Sequence, residues 1–228
     1  VVVFFPLVFS VFFILVASNF KIERYFDKRI ETALDKDRGG FYLGIYMPSF
    51  LSEANQPLLT SSMEEADTDW SVVSTYLFWS DQPLPKDQWQ SIIDNGAIPM
   101  ITWEPWANLF EKHRDIEDLE NNKKIFKYIT EGYFDDYINH FGEAIRDLDS
   151  PVFLRFAHEM DNPMYQWSKT GENTPEEFKA AWKYIHYKFE SLGIQNVSWV
   201  FSPWNPESMA DYFPYGPDNS INQYVDWI

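Results

Sequence analysis

Short apolar runs alternate with longer amphipathic segments along most of the chain, from Phe41 to Ile228. The apolar runs have the length of buried strands, and the amphipathic segments have the length of helices. The six predicted strands have the sequences FYLGIYM, VVSTYLFW, GAIPMITW, PVFLRFA, NVSWVF and YVDWI. Strands that alternate with helices in this way indicate a parallel sheet covered by helices.

Two of the predicted helices have recognisable ends or faces. The first begins after Thr174, which is an expected N-cap, with Pro175 at the first helical position and Glu177 at the capping-box position, and it ends at Gly193. Its apolar face consists of Phe178, Ala181, Trp182, Ile185, Phe189 and Leu192. The second helix spans residues 133–149, and its apolar face consists of Phe134, Tyr137, Ile138, Phe141, Ile145 and Leu148. Both faces have the spacing of a helix that packs on a core.

The strand and helix order favours a (β/α)8 TIM barrel. Such a barrel typically needs about 250 residues, and the segment 41–228 is shorter than that. An open sheet of six strands would leave unpaired edges. We therefore expect a barrel that is truncated after about six strands, with the remaining strands beyond Ile228. A smaller doubly wound sheet is the alternative at this level of detail.

The N-terminal region has a different character. Residues 1–20 contain no charged side chain. An uncharged apolar stretch of this length is long enough for a transmembrane helix. A signal peptide or a buried core helix are the alternatives. The chain begins at Val1 without a Met, so we expect it to be cut at this end. Residues 21–40 predict a charged juxtamembrane helical stalk that ends at Gly39 and Gly40.

Membrane orientation is not settled by charge, because acidic residues intervene among the basic residues after the span. We expect a membrane-anchored protein whose globular domain, residues 41–228, lies outside the cytoplasm.

Composition excludes several classes of function. The net charge of -17 opposes binding to nucleic acid, and the absence of Cys excludes thiolate catalysis and disulfides. Only four His are present, and His158-Glu159 does not continue as the zinc motif H-E-x-x-H, because Asn162 stands at the last position. We therefore predict no histidine-rich metal centre, while a structural cation stays open. No organic cofactor is implied. Aromatic residues reach 19%, which modestly favours contact with sugar rings.

The strongest candidate for chemistry lies at the end of the fourth predicted strand. The run PVFLRFAHEMDNPMYQW places His158 and Glu159 at the strand end, followed by a loop with Tyr165 and Trp167. Barrel enzymes carry their reacting groups at such ends. A partly desolvated carboxyl there is suited to general acid catalysis. Arg155 points inward by two-residue alternation and is expected to pair with a carboxylate.

Other strand ends add aromatic and acidic residues. The third and fifth strands contribute Trp103, Glu104, Trp106, Trp204, Asn205 and Glu207, and the second contributes Trp79 and Asp81. Each tryptophan by itself is better explained by core or rim packing than by sugar binding. Their shared place at strand ends favours a set that includes substrate contacts.

The run R-F-A-H-E-M-D-N, with Trp167 downstream, resembles the acid/base strand of glycoside hydrolase family 26, where R-x-x-H-E-M-N is typical. This family contains β-mannanases and some β-1,3-1,4-glucanases. The order of ITWEPW, RFAHEMD, a W-V-x-S-P strand, YFPYGPD and YVDWI is also similar to the family. The resemblance covers nearly all of residues 41–228. Asp161 departs from it, since Asn is more usual there.

The resemblance implies that Glu159 is the general acid/base, that His158 lies beside the sugar at the cleavage site, and that Trp167 is a sugar platform. It also implies a nucleophilic Glu at the end of a seventh strand, beyond residue 228, so we expect this fragment alone to be inactive. Retaining hydrolysis uses two carboxyl groups about 5 to 5.5 Å apart. An inverting arrangement with Glu104 or Glu207 is the alternative.

These observations favour a retaining endo-β-glycoside hydrolase that acts on a β-linked polysaccharide, either mannan or mixed-linkage glucan. The residues expected to bind substrate are Trp103, Glu104, Trp106, Arg155, Tyr165, Trp167 and Trp204. One alternative is a non-catalytic carbohydrate-binding barrel associated with membrane polysaccharide synthesis or export. Another is a purely structural barrel, because a fold does not fix a function. No protein partner is indicated.

Overall fold

The computed structural model describes residues 43–47, 56–217 and 223–228. The expected membrane anchor, residues 1–20, and the expected stalk, residues 21–40, lie outside the described residues. Within the described ranges, no helix combines the length and the apolar character needed to cross a bilayer.

Five parallel strands form one sheet in the order β1-β2-β3-β4-β5. Their bounds are Gly44–Tyr46 (β1), Val72–Phe78 (β2), Ile98–Glu104 (β3), Val152–Phe156 (β4) and Val197–Trp199 (β5). Strand order follows chain order without the reversal that defines a doubly wound sheet. The arrangement is therefore that of a (β/α)8 barrel-like α/β fold.

The sixth predicted strand, YVDWI, is reduced to a single parallel bridge between Val200 and Trp227. The Phe201 amide donates to the Trp227 carbonyl at 2.9 Å, and the Trp199 amide donates to the Asp226 carboxylate at 2.7 Å. The carboxylate thus accepts a hydrogen bond from a backbone amide that a regular sixth strand would pair with one of its carbonyl groups. The predicted position beside β5 is right, but the regular strand is not formed in the described residues.

Seven α-helices are formed by the described residues. Their bounds are Gln56–Ala66 (α1), Lys86–Asp94 (α2), Glu117–Glu120 (α3), Ile125–Thr130 (α4), Asp135–Arg146 (α5), Pro175–Ser191 (α6) and Met209–Tyr212 (α7). The two helices predicted in detail, α5 and α6, are confirmed within a few residues at each end.

The capping box at the start of α6 is formed as predicted. The Glu177 amide donates to the Thr174 hydroxyl at 3.2 Å, and the Thr174 amide donates to the Glu177 carboxylate at 2.9 Å. This reciprocal pair satisfies two backbone N–H groups that would otherwise be hydrogen-bonded only to water at the start of a helix.

Thr174→Ala is expected to lower the free energy of unfolding by about 1 kcal/mol, because the variant has no side-chain oxygen to accept the Glu177 amide. Thr174→Ser keeps that oxygen and is the matched control. Urea unfolding of the two variants checks the prediction, which fails if both variants are equally stable.

The core lies between the outer face of the sheet and the helices. Trp103 in β3 is fully buried there, with its ring stacked on Phe141 of α5 at a centroid distance of 4.1 Å. Its indole nitrogen donates to the Tyr137 hydroxyl at 3.1 Å. Side chains alternate along a strand, so Glu104, the next residue, faces the opposite, concave side. The same alternation sends Arg155 of β4 to the concave side.

Candidate active site

Glu159 follows the end of β4 in a tightly turned segment. Ala157 and Glu159 both have positive φ, at 44° and 51°, a conformation that is costly for residues other than glycine. The Glu159 amide donates to the Ser202 carbonyl at 2.6 Å, which ties the turn to the end of the β5 segment. Asn162 donates from its side-chain amide to the Glu159 carboxyl at 2.7 Å. The carboxyl therefore has a fixed direction at the carboxyl ends of the strands.

His158 is buried beside Glu159, with 2% of its surface exposed. Its Nε2 lies 3.0 Å from the Tyr165 hydroxyl, and its Nδ1 lies 3.8 Å from Oε1 of Glu104. Burial, with a smaller effect of the Arg155 charge, lowers the pKa of His158 to about 4. The imidazole is therefore uncharged at neutral pH.

Glu104 closes the other side of His158, at the end of β3. Trp106 donates from its indole nitrogen to Oε2 of Glu104 at 3.2 Å, and only 4% of the Glu104 surface is exposed. Burial raises the pKa of the Glu104 carboxyl to about 7, although the Trp106 hydrogen bond and the Arg155 charge oppose the shift. The site thus contains a buried carboxyl that changes its charge near neutral pH.

The contributions of Glu104 and His158 to folding stability depend on pH in opposite directions. Glu104 has a raised pKa of about 7 in the folded state, so it contributes stability at low pH that is lost as the pH rises from its unfolded value toward 7. His158 has a lowered pKa of about 4, so its contribution grows as the pH rises from 4 toward its unfolded value. The two effects partly cancel in the overlapping range.

Glu104→Gln should therefore become more stable relative to the wild type as the pH is raised from about 5 to about 8, because only the wild type must ionise a buried carboxyl in this range. Urea unfolding of both proteins at a series of pH values measures the difference. A difference that does not change with pH would show that Glu104 titrates normally.

Tyr165 and Trp167 form a stacked wall next to His158. Their ring centroids are 4.4 Å apart with an interplanar angle of 14°. Trp167 is only 1% exposed, and its indole nitrogen donates to the His158 carbonyl at 2.8 Å. The expectation that Trp167 is a sugar platform is therefore wrong, because Tyr165 covers its face. Burial is also the main cause that raises the pKa of Tyr165 to about 12, which keeps the hydroxyl protonated.

Arg155 has different partners from those expected. It donates from Nε to the Thr102 hydroxyl at 2.9 Å and from Nη2 to the Tyr76 hydroxyl at 3.4 Å. No carboxylate oxygen of the described residues lies within 4.0 Å of its guanidinium. The parallel register explains this, since Thr102 pairs with Arg155 and Tyr76 pairs with Thr102. The expected direct carboxylate pair is thus replaced by hydroxyls.

The tryptophans at the strand ends separate into two groups. Trp103 and Trp79 are fully buried against the helices, so the expectation that Trp103 contacts substrate is wrong. Trp204 is 61% exposed, and Trp106 is half-buried against Glu104. Asp81 accepts a hydrogen bond from the Glu111 amide at 2.7 Å and thereby ties two loops together.

Direct contacts join Glu104 to Trp106 and His158, His158 to Tyr165, and Tyr76 to both His158 and Arg155, and Glu159 follows His158 in the chain. Sequence reasoning missed Tyr76 and the role of Asn162 as a holder of Glu159. Tyr76 could have been found, because alternation along β2 places it on the same face as Ser74 and opposite the buried Val73 and Thr75. Within the described ranges, no group of three or more acidic or His side chains is arranged to hold a metal ion.

A barrel-like parallel sheet whose strand ends gather carboxyl groups, a neutral His and aromatic rings is the arrangement of a glycoside hydrolase. The model of "Glycosyl hydrolase family 26" matches residues 104–228, and the chain therefore belongs to glycoside hydrolase family 26.

Known relatives agree with this assignment. Endoglucanase H of Acetivibrio thermocellus is 25% identical over 194 residues, which cover 83% of this chain and 20% of the relative. Mannan endo-1,4-beta-mannosidase of Bacillus subtilis is 27% identical over 134 residues, which cover 53% of this chain and 37% of the relative. This chain therefore spans about a fifth of the first relative and somewhat over a third of the second.

The fold also agrees with that of a solved mannanase of Bacillus subtilis. That structure matches with a TM-score of 0.58 and 18% sequence identity, and the match covers 90% of this chain and 67% of the mannanase chain. At this identity the likeness establishes the fold.

Proposed function

We propose that this protein is a retaining endo-β-glycoside hydrolase of β-linked mannan or mixed-linkage glucan, with Glu159 as the general acid/base. The observation that carries the proposal is the fixed Glu159 carboxyl at the end of β4, held by Asn162 at 2.7 Å and next to the buried His158. Names of relatives that act as an endoglucanase and as a mannan endo-mannosidase support an endo-acting enzyme on such polymers.

The proposed reaction has two steps. In the first, the Glu159 carboxylic acid gives its proton to the glycosidic oxygen while the bond from that oxygen to the anomeric carbon breaks and a second carboxylate attacks this carbon. In the second, the Glu159 carboxylate accepts a proton from water, which attacks the anomeric carbon and releases the second carboxylate. The proposal assigns this nucleophile to a part of the complete protein outside residues 1–228, in line with the greater length of the solved mannanase.

A neutral His158 suits this chemistry. The transition state carries positive charge on the anomeric carbon and the ring oxygen, and an imidazolium beside it would raise its energy. Because burial lowers the pKa of His158 to about 4, the imidazole adds no positive charge beside the reacting sugar at neutral pH. The Tyr165 hydroxyl at 3.0 Å fixes the ring position.

The uncharged stretch of residues 1–20 supports a membrane tether as part of the proposal, with the hydrolase outside the cytoplasm.

The test is hydrolysis by the complete protein of β-mannan, lichenan and cellulose, followed by reducing-end release and by proton NMR of the first products. We expect release from mannan or lichenan, with the β-anomer formed first because retention requires two inversions at the anomeric carbon. An α-anomer formed first would contradict retention. Binding of the polymers without release would contradict the proposed activity.

A further inference from the structure

The loop that follows β5, residues 202–208, is fastened to the loop that carries Glu159. The Glu159 amide donates to the Ser202 carbonyl at 2.6 Å. Asp161 accepts two further hydrogen bonds, at Oδ1 from the Trp204 amide at 2.7 Å and at Oδ2 from the Asn205 amide at 2.8 Å. Three hydrogen bonds thus fix the backbone at Trp204 relative to Glu159.

Asp161 is suited to this role because both oxygens of a carboxylate accept hydrogen bonds. The Asn that is more usual at this position in the family has one acceptor oxygen and an NH2 group that only donates. Since Oδ1 accepts the Trp204 amide and Oδ2 accepts the Asn205 amide, an Asn side chain in the same position would leave one of these amides facing its NH2 group.

The Trp204 ring differs from the other strand-end indoles. Its backbone is anchored, yet 61% of the residue is exposed, whereas Trp103 and Trp167 are buried. An exposed indole offers a ligand a large and rigid contact face at a low cost in conformational entropy. The anchored backbone lowers the entropy that would be lost when the ring is fixed against a ligand.

We propose that Trp204 is the stacking platform for the sugar unit on the leaving-group side of the cleaved bond, and that Asp161 is the positioning residue that holds it there. This inference rests on the proposed function of Glu159.

The leaving-group side follows from the direction of the proton. Glu159 gives its proton to the oxygen that departs with the leaving sugar, so that sugar lies directly beyond the Glu159 carboxyl. In the sheet order β4 lies between β3 and β5, so the buried Glu104, at the end of β3, and Trp204, in the loop after β5, lie on opposite sides of the strand that leads to Glu159. The proposal places the reacting sugar on the Glu104 side. Trp204 stands on the β5 side and is linked to Glu159 through Ser202 and Asp161. The flat indole face matches the C–H face of a pyranose ring.

The first experiment compares Trp204→Ala, Trp204→Phe and the wild type as complete proteins. Loss of the stacking contact should raise KM on the cleaved polysaccharide by roughly tenfold, and Phe should restore most of it. On the glycosyl fluoride of the same sugar, whose leaving group has no ring that could stack on an indole, kcat/KM should change by less than about twofold. Tyr187→Ala removes an exposed ring near the C-terminal end of α6 and is the control.

The second experiment tests Asp161 by combining Asp161→Asn with Trp204→Ala. If Asp161 acts through Trp204, Asp161→Asn raises KM on the polysaccharide in the wild-type background and has little further effect in the Trp204→Ala background. If the KM increases of Asp161→Asn and Trp204→Ala multiply in the double variant, Asp161 does not act through Trp204 and its positioning role is overturned. Thermal melts of all variants show whether each one is folded.

Three results would overturn the platform. They are an unchanged polysaccharide KM in Trp204→Ala, an equal loss on the glycosyl fluoride, and a failure of Phe to restore binding. Absence of hydrolysis by the wild type would instead contradict the proposed function. Affinity electrophoresis in mannan and lichenan gels still decides the role of Trp204 in that case, since retardation of the wild type that is lost in Trp204→Ala supports the platform and equal retardation overturns it.

Discussion

Glu159→Gln in the complete protein is expected to lower kcat on β-mannan or lichenan by a factor of about 10² to 10⁴, the usual contribution of a positioned general acid or base. The Gln side chain has nearly the same shape, and its oxygen can still accept the hydrogen bond that Asn162 now donates at 2.7 Å. The variant should therefore bind substrate with little change in KM. Only the transferable proton is lost.

Glu207→Gln is the matched control for this prediction. Glu207 lies on the neighbouring β5 loop and is exposed, and it is one of the two carboxylates, with Glu104, that an inverting arrangement could use. We expect its variant to keep the wild-type kcat. A large loss in Glu207→Gln together with a small loss in Glu159→Gln would reverse the assignment of the acid.

Trp103→Ala is expected to have the largest effect on stability, a loss of about 3 to 5 kcal/mol, as is typical when a buried tryptophan is truncated. The ring is fully buried, stacks on Phe141 at 4.1 Å and donates to Tyr137. The alanine variant leaves a cavity and an unsatisfied Tyr137 hydroxyl. Thermal unfolding should show a midpoint lower by roughly 6 to 20 °C for a domain of this size.

Trp204→Ala provides the comparison within the same protein. Since Trp204 is 61% exposed, its truncation should change stability by no more than about 0.5 kcal/mol. The two tryptophans thus differ in role, although both stand at strand ends: Trp103 packs in the core, and Trp204 is the proposed contact to sugar. A variant of Trp103 that melted like the wild type but bound polysaccharide weakly would contradict the structural assignment.

Most of the fold could be predicted from local patterns. The five strands fall inside apolar runs of the right length, and α6 begins at the Thr174 capping box, because strand period and helix capping are properties of adjacent residues. The YVDWI segment was not predictable to the same degree. The Asp226 carboxylate accepts a hydrogen bond from the Trp199 amide, and local patterns do not reveal a contact between residues so far apart in the sequence.

The site was predicted in position but not in detail. The RFAHEMD run indicates Glu159 and His158, and the structure places both at the end of β4. Alternation along MITWEPW is sufficient to place Trp103 and Glu104 on opposite faces of the sheet. The sequence analysis nevertheless grouped both as substrate contacts, because both stand at the end of a strand. The stacking of Tyr165 over Trp167 could not be predicted, because it depends on how the loop folds back on itself.

Arg155 illustrates a second limit. Its inward direction follows from two-residue alternation, but its partners depend on the register between β3 and β4, which pairs it with Thr102. The positive φ of Ala157 and Glu159 also has no local signal, since neither residue is glycine. Tertiary contacts, such as the Ser202 carbonyl that accepts the Glu159 amide at 2.6 Å, stabilise this turn.

The most direct test of Glu159 as the proton donor is the ratio of two losses in Glu159→Gln, one on the polysaccharide and one on an aryl β-glycoside with a strongly acidic phenol. An acidic phenol leaves without a proton, so the first step on it no longer needs the general acid. We predict that the loss in kcat/KM, which reports this first step, is at least about a hundredfold larger on the polysaccharide. Equal losses on both substrates would show that Glu159 does not protonate the leaving group.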